Sequence, residues 1–373
     1  MTETMGLRRL NDSDDCIYVY DPPTGSNERF ICGIYVDNLQ IATSVGVDKD
    51  GKPLDPNSFY AKFMAAVDND WDVVDEGEML DLLSIQVRRN ANGSITLHME
   101  NYIKTLLAKY QPDGPSTRVQ QKSMPYTGEF EARIAVALSL GSTAEPSYPE
   151  LVKPYQQRFG SLMYLANACR PDLAFCISKH CTCMGRPTPD MLKELDQVFS
   201  YLARHSHVGL TYDASHSALQ GMTDADWGER FSTSGWVIKW QGAAISWGSK
   251  KQDCVALSTC EAEIVALSEG SKDMVYFRKM VNGIDASAAA DPPNLATDNK
   301  GAQDTSYNSE HHSRMKHVKR RHFYVRDMVE SFELRVPLVS TADNYADFLT
   351  KSMKNVSTFL KFRAAVMNEP PHG

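Results

Sequence analysis

Three short strand patterns, "LQGMTDADW", "SGWVIKWQG" and "AAISWGSKK", follow one another after residue 208 with tight turns between them, and a long helical stretch from about 260 to 282 comes next. A short strand "NLATD", a basic helix, a strand "ELRVPLVST" and a last helix starting near Asp343 and running through "YADFLTK" complete the run. The order strand, strand, strand, helix, strand, helix, strand, helix restricts residues 208–365 to an α/β domain of five strands.

The chain upstream has a different grain. Residues 15–43 read as two strands around the hairpin "GIYVDNLQIA". A helical stretch "FYAKFMAAVDNDW" and two strands in "LLSIQVRRNANGSITLHM", joined by an Asn-Gly turn, follow. With the helix "NYIKTLLAKY" these make a mixed α+β unit over 1–110. Residues 111–149, rich in Pro, Gly and Ser in their first half, are expected to be a linker. From 150 to 207 the periodicity is helical, an expected all-α insert: Thr188 is placed to cap a helix with Pro189 at its first position, and Leu192, Leu195, Phe199 and Leu202 fall on one stripe. No internal repeat or low-complexity segment interrupts the chain.

Composition narrows the class. A chain of 373 residues, 42% of them hydrophobic, can fill two or three cores. No apolar stretch approaches the roughly 20 residues that cross a bilayer, and the first residues lack the apolar run of a secretory signal, so an intracellular protein without a membrane partner is expected. The eight cysteines show no CxxC spacing and read as reduced small hydrophobes, although Cys181 and Cys183 leave metal binding or oxidation open. The net charge of −8 argues against a uniform phosphate-binding surface. Yet residues 311–326 carry Arg314, Lys316, Lys319, Arg320, Arg321 and Arg326, four histidines and no acid, with Phe323 and Tyr324 among them. Such a patch suits a nucleic-acid backbone and equally a solvated helix face.

Metal-assisted hydrolysis of a phosphodiester needs carboxylates converging within about 4 Å of a metal pair, because Mg²⁺ takes oxygen ligands and the transition state gains negative charge. Asp224 lies in the first strand of the last domain, Glu263 in the long helix, Asp298 at the end of the fourth strand and Asp347 in the terminal helix. A sheet with its first and fourth strands adjacent would bring the four together. Each has a competitor on spacing alone. Asp226 shares a strand face with Asp224, and Glu261 lies about 200° around the helix from Glu263. Asp343 is placed to cap the terminal helix.

The motifs "GMTDADWGERFSTSGWVIKW", "AISWGSKKQDCVALSTCEAEIVAL", "ATDNKGA", "HSRMKHVKRRHFYVRDMV" and "TADNYADFLTK" resemble, in order, the ribonuclease H domain of copia-type long-terminal-repeat retrotransposon polyproteins. Upstream, "YQQRFGSLMYLANACRPDLAF" is similar to that family's helical segment between polymerase and ribonuclease H, and "ICGIYVDNLQIATS" to its polymerase hairpin. The resemblance implies a palm remnant, a helical thumb-like region at 150–207, and an RNase H-like domain whose five-stranded mixed sheet has flanking helices. It places the family's metal-binding acids on Asp224, Glu263, Asp298 and Asp347, holding two Mg²⁺ that Mn²⁺ can replace. It also matches Lys316 and His317 to a basic pair, so that Arg314, Lys316, His317, Lys319, Arg320 and Arg321 would grip nucleic acid. The implied substrate is the RNA strand of an RNA/DNA hybrid. The implied partners are other products of the same polyprotein, and the implied location is a cytoplasmic particle, the nucleus, or both.

The hairpin departs from the resembled family. A polymerase palm presents paired acids at such a tip, whereas here Asp37 is followed by Asn38. An amide brings no charge to a metal. The chain also starts too late to include the earlier palm strand that supplies another aspartate. The hairpin is therefore expected not to support polymerisation. Ser84 stands where the family usually has Gly, in a part of the palm without known chemistry. No His lies between Glu333 and Asp347, where some ribonucleases H carry a loop histidine, and its lack predicts slow turnover.

Overall fold

A computed structural model describes residues 5–10, 13–48, 51–112, 123–139, 146–228, 231–286, 288–308 and 319–369. It is mixed α+β and divides into two compact units, Met1–Leu80 with Tyr276–Asp291, and Asp81–Val275 with Pro292–Gly373.

In the first unit β1 (Arg8–Leu10), β2 (Asp14–Val19), β3 (Phe30–Tyr35) and β4 (Asn38–Thr43) form an antiparallel meander. Helix α1 (Phe59–Asp70) buries Tyr60, Phe63 and Val67, one stripe at helical spacing, against Leu7, Phe30 and Cys32. Its first turn is doubly satisfied. Ser58 Oγ accepts the Ala61 N–H, and the Glu28 carboxylate accepts those of Phe59 and Tyr60 at 2.9 and 3.0 Å. The strands β3 and β4 close over Val36 and Asp37, with Tyr35 paired to Asn38. Val36 takes a φ of 56°, a conformation that a β-branched residue disfavours.

The second unit begins with β5 (Asp81–Leu82), β6 (Ile85–Arg89) and β7 (Ile95–His98), which continue into a sheet completed by β8 (Leu210–Tyr212). Between β5 and β6, Ser84 has a φ of 66°, so the glycine usual in the resembled family has a conformational reason. Among the described residues five α-helices follow: α2 (Glu100–Tyr110), α3 (Phe130–Ser139), α4 (Pro149–Ala168), α5 (Ala174–Cys181) and α6 (Pro189–Arg204). Helix α3 corrects the expected linker at 111–149. It buries Phe130, Ile134 and Ala137, a helical spacing that the Pro- and Gly-rich residues before it had masked. Thr188 caps α6 as expected, accepting from Met191 at 3.2 Å.

The main sheet has the order β11-β10-β9-β12, where β9 is Gln220–Asp226, β10 Thr233–Trp240, β11 Ala243–Lys251 and β12 Asn294–Ala296. Strands β9, β10 and β11 are antiparallel, while β12 runs parallel to β9, which makes the first and fourth strands neighbours. The expected fifth strand is interrupted. Residues 335 and 338 bridge to β12 in parallel, but Pro337 between them has no N–H to donate, and no continuous strand forms. Around this sheet lie α7 (Thr259–Ile284), α8 (Lys300–Tyr307), α9 (Lys319–Glu330) and α10 (Val356–Met367). Helix α8 was not anticipated, and the expected terminal helix through "YADFLTK" is instead two 3₁₀ segments, Thr341–Asp343 and Tyr345–Leu349.

The helical region is not an insert with its own core. Met99, Tyr155, Leu195, Val237, Phe348 and Phe359 belong to one buried cluster that runs from the helices into the main sheet. Alongside it two arginines are fully enclosed. Arg170 forks onto Asp172 at 2.9 and 2.7 Å, the Tyr201 hydroxyl donates to Asp172 at 2.5 Å, and Arg363 of α10 donates to Tyr201 and forks onto Glu369. The planar fork lets each guanidinium exchange its water shell for a carboxylate.

Candidate metal centre

Three of the four expected acids meet. One carboxylate oxygen each from Asp224, Glu263 and Asp298 lies within 4.8 Å of the others, a cluster built at the C-terminal ends of β9 and β12 and on the second turn of α7. Parallel pairing of β12 with β9 sets Asp224 beside Asp298. Glu263 is delivered by the anchoring of α7. Gln252 joins Ser234 Oγ to the Ala262 carbonyl at 2.9 Å each, and Asp273 accepts from Trp236 Nε1 and Ser246 Oγ at 2.7 and 2.6 Å.

The ambiguity between Glu261 and Glu263 resolves on capping. Ser258 Oγ accepts the Glu261 N–H at 3.2 Å, and the Glu261 carboxylate turns back to the Leu257 N–H at 2.6 Å. Ser258 thus caps the helix start while Glu261, three residues on, reaches back to the N–H just before it, a variant of the capping box that leaves Glu263 for the cluster. Asp343 is exposed and pairs with Lys361, while the caps it was expected to supply come from Ser340 and Asn344.

Asp224 and Glu263 are almost wholly buried, at 4% and 6% exposure. Burial, with the charges of Asp224 and Asp298 beside it, pushes the Glu263 carboxyl up to about 9. Burial also lifts Asp224 to about 7, against the hydroxyl of Thr350, which donates to its Oδ2. At an effective dielectric of about 20, two such charges within 5 Å repel by about 3 kcal/mol, so the trio holds either protons or a cation. Glu263 Oε2 is buried with no hydrogen-bond partner. Hard oxygen donors, mutual repulsion and that orphaned oxygen fit a divalent cation.

Asp347 is close enough to raise Asp224 further but stands outside the trio, ion-paired to Lys351. Its 3₁₀ turn is held from several sides. Asn344 Nδ2 donates to the Thr223 carbonyl at 3.0 Å. Gly235, opposite Asp224 in the ladder, lets the turn approach: a Cβ there would meet Thr350 Cγ2 at 2.7 Å and Leu349 Cβ at 3.0 Å. The helical region adds two braces just after Lys351, Glu131 accepting the Ser352 N–H at 2.8 Å and Tyr126 Oη the Met353 N–H at 2.9 Å. Gly235, Thr350 and Lys351 were not singled out from the sequence, although "FLTK" one turn after Asp347 was the available signal.

The remaining expected residues divide. Arg314, Lys316 and His317 lie outside the described residues, and the side chains of Lys319 and Arg320 are not described, although α9 begins at Lys319. Arg321 is held by the protein itself, donating to Asp253 at 2.7 Å and to Cys254 Sγ at 3.1 Å. Asp37 and Asn38 are exposed at the hairpin tip, 3.5 Å apart as a hydrogen-bonded pair. The cysteines are free, with Cys16 and Cys181 exposed rather than buried. No helix among the described residues is long and apolar enough to cross a membrane.

No family model matches the chain. Among curated proteins it is 29% identical over 345 residues to the retrovirus-related Pol polyprotein from transposon TNT 1-94 of Nicotiana tabacum, covering 91% of this chain and 24% of that one. It is 30% identical over 308 residues to the retrovirus-related Pol polyprotein from transposon RE1 of Arabidopsis thaliana, covering 80% of this chain and 20% of that one. The chain thus spans a quarter or less of the length of these relatives. Among solved structures, RNase H1 from the halophilic archaeon Halobacterium salinarum NRC-1 matches at 16% identity and a TM-score of 0.28, over 36% of this chain and 94% of that one.

Proposed function

The chain belongs to the retrovirus-related Pol polyproteins of copia-type transposons, and we propose that within that family it is a reverse transcriptase/ribonuclease H fragment that hydrolyses the RNA strand of RNA/DNA hybrids. The observation that carries this reading is the convergence of Asp224, Glu263 and Asp298 at one end of the main sheet, with Asp347 on a braced turn beside them. In this reading residues 1–110 are a palm remnant, 111–149 a connection that includes α3, 150–207 a thumb-like region and 208–365 an RNase H-like domain, with the bridged segment around Pro337 standing in for the fifth strand.

Asp224, Glu263, Asp298 and Asp347 would hold two Mg²⁺, or Mn²⁺ in their place. When bound, the ions supply Lewis acidity that lowers the pKa of an attacking water and neutralises charge on the leaving 3′-oxygen. The chain's own part is preparation. Burial of the carboxylates strips them of competing water, Thr350 fixes the orientation of Asp224, and the α7 anchors keep Glu263 aimed at the cluster. Lys351 balances the charge of Asp347. The hybrid's RNA strand would be told apart by its 2′-hydroxyls in the minor groove and its DNA strand held through phosphates, with the basic segment 314–321 as a further grip. Cleavage leaves a 5′-phosphate on the downstream piece.

The hairpin is proposed not to polymerise: its tip offers the single carboxylate of Asp37 beside the amide of Asn38. The nuclease reading is tested with Asp298→Asn in the purified chain. Loss of Mg²⁺-dependent hybrid cleavage with hybrid binding retained is expected, and undiminished cleavage would sink it.

A further inference from the structure

We propose that Lys179, carried by the helical region rather than by the main sheet, contacts a backbone phosphate of the strand cut at the acid cluster; this rests on the nuclease reading above. Directly opposed residues of an antiparallel ladder share a face. Asp226, Thr233 and Lys251 form such a row, with Thr233 between the other two. Asp224 heads the next row on that face, two residues or about 7 Å along the strand. The row with Thr233 therefore borders the acid cluster.

Lys179, near the end of α5, reaches over this row. Its Nζ donates to Thr233 Oγ1 at 3.0 Å and sits 5.4 Å from the centre of the Phe175 ring. An ammonium has three protons to give, and among the described residues the neutral Thr233 hydroxyl is its one hydrogen-bond acceptor. Asp226 and Glu131 attract it and Lys251 repels it, but none forms an ion pair with it among the described residues. Burial disfavours its charge. A largely desolvated cation with one neutral acceptor is incomplete in a way that an anion rich in oxygen would remedy.

A phosphodiester is that anion, and a substrate delivered to the acid cluster brings a series of them past this point. Lys251, whose Nζ lies 4.4 Å from the Phe231 ring centre, adds a second positive charge to the same border. The helical region would then be part of the substrate platform.

The test uses the full chain and a short labelled RNA/DNA hybrid, with Ca²⁺ in place of Mg²⁺ and binding followed by anisotropy across a salt series. Lys179→Gln keeps a donor for Thr233 but no charge. It is expected to weaken binding about tenfold and to make the salt dependence shallower by about one counterion, while Lys179→Arg restores both. Thr233→Val removes the internal acceptor without touching the charge and is expected to keep the wild-type slope. The proposal is overturned if Lys179→Gln binds with wild-type affinity and slope, if Thr233→Val lowers the slope equally, or if the wild-type chain does not bind the hybrid. Its fate is separable from that of the nuclease reading. A shallower slope in a chain that binds but never cuts in Mg²⁺ leaves the contact standing without the nuclease, and an unmoved slope in a chain that cuts does the reverse.

Discussion

Asp37 and Asp224 both lie at the ends of strands that the sequence marks as sites for metal chemistry, and their surroundings are opposite. Asp37 sits in solvent on a two-residue turn, with an amide for a neighbour. Asp224 is enclosed, touches Thr350 and faces two further carboxylates. An exposed acid costs nothing to keep and nothing to lose. Two enclosed carboxylates with a half-buried third beside them repel one another by several kcal/mol and are tolerable only with protons or a cation.

That contrast can be broken most sharply by substitution. Glu263→Gln is expected to cut hybrid cleavage about a thousandfold, since on the proposed reading its carboxylate would hold an ion that supplies several kcal/mol of transition-state stabilisation. Asp37→Asn is expected to leave cleavage unchanged in the same assay. Equal losses in both would remove the distinction between the two regions.

A second comparison sets the charged network of the helices against the acid cluster. Asp224 and Glu263 are as enclosed as the network, but Arg170, Asp172, Tyr201, Arg363 and Glu369 satisfy one another, whereas the acids do not. Asp172→Ala strands a guanidinium in the core and is expected to destabilise the chain by about 3–5 kcal/mol, measured by denaturant unfolding. Asp224→Asn, which relieves repulsion in the metal-free protein, is expected to leave stability unchanged or raise it.

A smaller effect follows from acidity. The folded metal-free chain holds protons on Asp224 up to about 7 and on Glu263 up to about 9. Unfolded carboxyls release theirs near pH 4. The folded state thus binds more protons across this range. Their stabilising contribution is complete below about pH 4 and is lost as pH rises through 7 and then 9. In EDTA the melting temperature is expected to fall between pH 6 and pH 9, and Mg²⁺ or Mn²⁺ to recover more of it at pH 8 than at pH 6. A melting temperature that rises over this interval, with no metal effect, would mean that the cluster is neither strained nor a cation site.

Much of the architecture was readable because period and punctuation agreed. The three strands, the long helix and the cap at Thr188 all carry local signals, whereas adjacency of the first and fourth strands stood only as a condition until the ladder between β9 and β12 supplied it. The misses have local causes. Pro337 breaks a ladder that the apolar pattern of "ELRVPLVST" had suggested. The linker composition before Phe130 hid α3. The 3₁₀ turns around Asn344 read as a helix because Tyr345, Phe348 and Leu349 are spaced like one. The choice of Glu263 over Glu261 needed family resemblance in the sequence and capping geometry in the structure. The braces from Tyr126 and Glu131 onto the segment after the Asp347 turn, which tie the helices to the acid cluster, span more than 200 residues and had no local signal.

Whether the acid cluster cuts RNA is decided by a gel assay of the full chain on a labelled RNA/DNA hybrid with Mg²⁺, run beside Asp224→Asn. Metal-dependent cutting of the RNA strand, abolished in the variant while its fold persists, is expected. Hybrid binding without cutting in the wild-type chain, or cutting that Asp224→Asn leaves intact, would contradict it.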